Sequence, residues 1–140
     1  MTWFGWALLT AFVWGIVPIF EKIGLKNVEP FAALFYRCLG VLLGVLVLLS
    51  FRVTAQQLKA VSFRSIMFLV TAGFLASFLA QVFFYQGLKT IEVSKMVPIA
   101  GSFPLFAFIL GVCFLGESLT VAKVIGALMV VGGVWVIKAG

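Results

Sequence analysis

Few reactions are open to this chain, because it has no histidine, only four carboxylates and two cysteines in 140 residues. A hydrolytic constellation needs a nucleophile, a base and an acid within reach of one another. None of the four acids stands near a candidate nucleophile in sequence or in depth, so an enzyme is not expected. Cys38 and Cys113 have no metal-ligand or redox spacing. Packing is their reading, and neither a metal nor a cofactor is implied. The remaining chemistry is recognition, by the Gln81 amide, the Tyr85 hydroxyl and the Arg37 guanidinium.

Gly73, Ser77, Gln81 and Tyr85 recur at four-residue steps, beside a stripe of Ala72, Ala76 and Ala80. On a helix this makes one small, polar face. Such a face either lines a cavity and offers Gln81 and Tyr85 to a solute, or glues helices together. For the alanines packing is the simpler reading; for Gln81 and Tyr85 both stand. Arg37 lies about 10 Å along a helix axis from Pro30. At that depth it either snorkels to the headgroups or pairs with an anionic solute, Glu21 or Glu92. Pro104, in the middle of an apolar run, removes a backbone hydrogen bond to Ala100 and bends the helix beside Gly101 and Ser102.

The elements that must position these groups are membrane spans. The chain is 64% hydrophobic and 10% charged, with a mean hydropathy of +1.28, against about 25% charge in a soluble domain. A water-soluble globule is excluded. Five apolar runs have the length of a transmembrane helix: residues 3–20, 31–51, 65–88, 96–115 and 121–137. Their continuity, without alternation, argues for helices over barrel strands. The fold class is thus all-α integral membrane, a five-transmembrane-helix bundle in a single domain over 1–140.

Charges fall between the runs, Glu21 included, with only Arg37 and Lys123 inside them. The net charge of +6 therefore marks membrane edges. It is not a nucleic-acid face, which needs a folded soluble module. Counted by side, Arg52, Lys59, Arg64 and Lys123 oppose Lys22, Lys26, Arg37, Lys89, Lys95 and Lys138. Four against six is a weak bias, and its nominal outcome is a cytoplasmic C-terminus with insertion in both orientations allowed.

Trp3, Trp6 and Trp135 read as interfacial anchors. The first run lacks a preceding basic residue and a cleavage pattern, so it is expected to be retained. Between Val53 and Phe63 lies either a short interfacial helix or a plain loop. Gly40 and Gly44, and likewise Ala122 and Gly126, have the spacing of close helix contacts. Glu117, with Ser118 and Thr120, reads as the cap of the fifth helix.

The order of motifs resembles the EamA domain of the drug/metabolite transporter superfamily. It runs Trp14-Gly15 and Pro18, Arg37, Tyr85-Gln86-Gly87-Leu88, Pro98, Ser102-Phe103-Pro104, Leu115-Gly116-Glu117-Ser118-Leu119-Thr120, Gly126-Ala127-Leu128 and Gly132-Gly133. The resemblance covers nearly the whole chain. It implies a half-transporter, a five-helix unit that typically occurs twice in inverted orientation and moves small metabolites or drugs by alternating access. A single copy implies a partner, either an antiparallel homodimer or a paired homologous subunit, in a multi-pass plasma-membrane protein. Under that reading Trp14, Arg37, Gln81, Tyr85 and Ser102 bind the small-molecule substrate and Pro104 is the hinge. Related small multidrug resistance proteins carry a membrane-embedded glutamate in helix one. Here Trp14 stands in that helix and Glu21 only at its end, which argues against proton-coupled drug export. The rival reading is a non-transporting membrane subunit or lipid-carrier component of a heteromeric complex.

Overall fold

The computed structural model describes residues 2–140 and only the backbone of Trp3. The anchoring expected of that indole therefore lies outside the described residues. Every regular element described is helical: α1 (Trp3–Gly24), α2 (Pro30–Phe51), α3 (Ala55–Lys59), α4 (Phe63–Phe74), a π-helical turn (Leu75–Leu79), α5 (Ala80–Thr90), α6 (Val93–Ala100), α7 (Phe103–Leu115) and α8 (Val121–Ala139). α4, the π turn and α5 form one continuous helix, and α6 with α7 make up another apolar stretch. Five spans of 19 to 28 residues result, about 29 to 42 Å long at 1.5 Å per residue. This is the all-α, five-span membrane fold that the sequence predicts.

The chain falls into two compact units, Met1–Lys89 and Thr90–Gly140. In the first, a connection of five residues joins α1 to α2. The amide of Leu25 closes the end of α1 on the Glu21 carbonyl at 2.9 Å. Glu29 then caps α2, its Oε2 accepting from the amides of Phe31 at 2.8 Å and Ala32 at 3.2 Å, with Pro30 in the first turn. The buried apolar side chains of this unit are Leu25 in that connection, Leu34 of α2, and Tyr85 and Leu88 of α5. The connection after α2 is helical, since Thr54 and Gln57 satisfy each other's backbone amides in a capping box that starts α3.

In the second unit α6 and α7 each pack on α8. Partly buried α8 residues Val124, Ala127, Val131, Val134 and Ile137 follow the three- and four-residue spacing of one helix face. Thr120 caps α8, accepting from the Lys123 amide at 3.3 Å. The capping expected of Glu117 does not occur. Left-handed Gly116 (φ 67°) turns the chain so that the Glu117 carboxylate lies over Gly111 and 3.8 Å from the Lys123 ammonium.

Observed helix ends extend beyond the apolar runs. α1 continues to Gly24 rather than stopping at Phe20, and the third span covers Phe63–Thr90. Charged residues in terminal turns satisfy backbone groups or reach headgroups, so they do not end a helix. Trp6 and Trp135 are exposed, and the Lys138 ammonium lies 5.3 Å over the Trp135 ring. Both suit a headgroup boundary. A side chain added at Gly40, Gly44 or Gly126 would meet nothing within 4 Å, so these glycines make no close helix contact within the chain.

Candidate functional site

Helices of the first unit meet on one carboxylate. Trp14, Pro18, Glu21 and Leu25 succeed one another by four, three and four residues, which keeps them on one face of α1. Pro18 and Leu25 are buried, and the Glu21 side chain is only 9% exposed. From α2 comes Arg37, on the stripe begun by buried Pro30 and Leu34. From α5 come Gln81 and Tyr85, followed on the same face by buried Leu88.

Glu21 Oε1 accepts from Gln81 Nε2 at 2.8 Å, from Arg37 Nε at 3.2 Å and from the Tyr85 hydroxyl at 3.2 Å. Arg37 also donates through Nη1 to the Ser77 carbonyl at 3.0 Å. Ser77 belongs to the π turn, where the Ala80 amide reaches back five residues to the Leu75 carbonyl. Such a turn interrupts the regular α-helical ladder, and here one of its carbonyls serves the guanidinium. Next to the cluster, the Lys22 ammonium donates to the Leu88 carbonyl and ties α1 to α5.

Paired charges can remain inside an apolar span where single ones are costly. Of the two readings open for Arg37, the structure shows pairing, with Glu21. Counted at 1.5 Å per residue from the near helix end, Glu21 lies about 5 Å deep, Tyr85 about 8 Å, Arg37 about 10 Å and Gln81 about 14 Å. The site thus starts one turn inside the span and continues inward.

Two valences of the pair are unused. Among the described residues, Glu21 Oε2 accepts no hydrogen bond and Arg37 Nη2 donates none. No buried side-chain nitrogen or oxygen among those residues is left unsatisfied, so neither atom is fully buried. An acceptor and a donor, of opposite charge, thus remain free for a further partner. Among the described residues there is no group of three or more metal-ligating side chains.

Arg37, Gln81 and Tyr85, three of the residues singled out in the sequence, are thus brought together. Trp14 lies on the Glu21 face of α1 two turns earlier, 61% exposed. Ser102 belongs to the second unit, where its hydroxyl donates to the Ile99 carbonyl at 2.7 Å across the break between α6 and α7. Pro104 is not in the middle of a helix. It is the second residue of α7, and the chain has already broken at Gly101–Ser102.

The central residue, Glu21, was a possible partner of Arg37 in the sequence but not a substrate-binding candidate, because the charge pattern places it beyond the first span. α1 carries it inside the span, three residues from the helix end. The signal that finds it is the stripe Trp14, Pro18, Glu21, Leu25, which continues the apolar face past Phe20. The π-turn carbonyl has no counterpart in residue type.

The chain matches the EamA-like transporter family over residues 1–139. It is 24% identical over 132 residues to an uncharacterized transporter from the cobO 3′ region of a Sinorhizobium species, covering 94% of this chain and 93% of that protein. It is 30% identical, over 91% of its length, to the uncharacterized inner membrane transporter YhbE of Escherichia coli K12, and spans 40% of that relative. The same identity and coverage hold for YhbE of Shigella flexneri. No solved structure matches. A match along the entire helical chain, around a polar cluster set inside its spans, makes this protein a multi-pass membrane protein of the EamA-like transporter family.

Proposed function

We propose that the chain carries small polar organic solutes across the plasma membrane by alternating access, and that the solute is held at the Glu21–Arg37 pair. The observation carrying this reading is that one ion pair inside a span keeps an unused acceptor, Glu21 Oε2, and an unused donor, Arg37 Nη2, neither of them fully buried. A solute with a hydrogen-bond donor or cationic group next to an acceptor or anionic group satisfies both. Gln81 and Tyr85 fix the carboxylate and contribute to the wall. Trp14, on the same face of α1, offers an apolar surface to the rest of the solute. Within the second unit, Ser102 remains a solute-binding candidate in its own right, and the break from Gly101 to Pro104 is the flexible point of the fourth span.

Alternating access in this reading needs two such units. The E. coli relative, of which this chain spans 40%, is long enough for both. Here the other five-helix unit is another copy of the chain inserted the other way up, and the near balance of basic residues across the membrane supports that arrangement. Counterflow in liposomes, with amino acids, nucleosides and sugar phosphates as the panel, tests the reading. Uptake of at least one class that falls at least tenfold in Glu21→Gln is expected. Uptake of none, together with copurification of an unrelated membrane protein, identifies a non-transporting subunit instead.

A further inference from the structure

The charges that the transport site leaves unused converge on a second cleft of the first unit. Lys22, Ile23, Leu25, Lys26, Leu88 and Lys89 line an open cavity of about 450 Å³. Lys22 is in the last turn of α1 and Lys89 in the last turn of α5, and Lys26 follows α1 directly. No carboxylate lines the cleft. Among the described residues, neither Lys26 nor Lys89 has an ion-pair or hydrogen-bond partner for its ammonium. The simplest account, lysines complementing helix C-termini, covers Lys22, whose ammonium meets the Leu88 carbonyl. It leaves out Lys26, which lies beyond its helix.

We propose that this cleft binds the phosphate-bearing headgroup of an anionic membrane lipid. Three ammonium groups around one opening favour an anion such as a phosphodiester. The rest of the molecule finds an apolar surface at the lip, where Ile23 is exposed over the packed Leu25 and Leu88. A free inorganic anion has no apolar part to cover such a surface. Depth agrees as well: the spans end at Gly24 and Thr90, which places the lysines at headgroup level. An occupant there braces the ends of α1 and α5, one turn outside the Glu21 cluster, without touching it.

The test uses the full chain in neutral detergent, titrated with dioctanoyl-phosphatidylglycerol, dioctanoyl-phosphatidylcholine, glycerol 3-phosphate and inorganic phosphate. The readout is the thermal unfolding midpoint. Phosphatidylglycerol should raise it saturably and phosphatidylcholine should not. At about fivefold per lysine near an anionic surface, Lys26→Gln with Lys89→Gln should weaken that response about 25-fold. Arg52→Gln with Lys59→Gln, which removes the same charge from another loop, should leave it unchanged. Equal responses to the two lipids, or equal losses in the two double variants, would overturn the proposal. A response to phosphate or glycerol 3-phosphate as strong as that to the lipid would also overturn it, in favour of a soluble anion.

Discussion

Glu21 Oε1 holds three donors at once, so the cost of a substitution depends on which partner is left behind. Arg37→Ala strands a carboxylate that is 9% exposed, and should lower stability by about 3 kcal/mol, the cost of breaking a buried ion pair. Arg37→Lys keeps the charge but cannot reach Glu21 and the Ser77 carbonyl together, because an ammonium lacks the guanidinium's fork. It should retain most of the stability and lose transport. Tyr85→Phe removes one donor of three, at about 1 kcal/mol. Thermal unfolding in detergent, run beside liposome counterflow, separates the two effects. At this scale Arg37, Gln81 and Tyr85 were legible, since polar side chains inside an apolar run are conspicuous. Glu21 was hidden by its charge, which resembles an end-of-span signal until the helical stripe from Trp14 to Leu25 is followed through it.

Two irregular elements set the backbone of the spans. The π turn at Leu75–Leu79 fits one extra residue into a helix whose flanks are regular. Deleting Ala76 should convert it to an α turn with α4 and α5 still in phase, so Gln81 and Tyr85 keep their places while Arg37 loses its carbonyl acceptor. Membrane insertion and helicity by circular dichroism should be unchanged and transport reduced. The second irregularity is the break between α6 and α7. A side chain on Gly101 would come within 2.9 Å of the Val97 carbonyl oxygen, an overpacking that costs about 1–3 kcal/mol. Pro104 sits in the first turn of α7, where a proline forfeits no helical hydrogen bond. Gly101→Ala should therefore lower the unfolding midpoint clearly. Pro104→Ala should stay within about 0.5 kcal/mol of wild type. Hydropathy located this span and its proline, but the position of the break depends on backbone fit around Gly101, which residue type does not display.

For the molecule as a whole, composition was sufficient to predict a membrane protein, because 64% hydrophobic and 10% charged residues leave no other solvent for the chain, and the five continuous apolar runs gave its helical spans. Orientation is written less clearly, the basic residues being split four to six. If the other five-helix unit is an inverted copy of the chain, reporters fused to the C-terminus should label both faces of the membrane in comparable amounts. Labelling of one face alone would exclude the antiparallel homodimer and point to a different partner. The central claim is that solutes pass by way of the Glu21–Arg37 pair, and solute counterflow in liposomes holding wild-type protein or Glu21→Gln tests it most directly. Because the substitution turns the free acceptor into an amide donor with little change in shape, the account predicts a folded variant whose transport is at least tenfold slower, a barrier increase of about 1.4 kcal/mol. Transport by Glu21→Gln at the wild-type rate would contradict it.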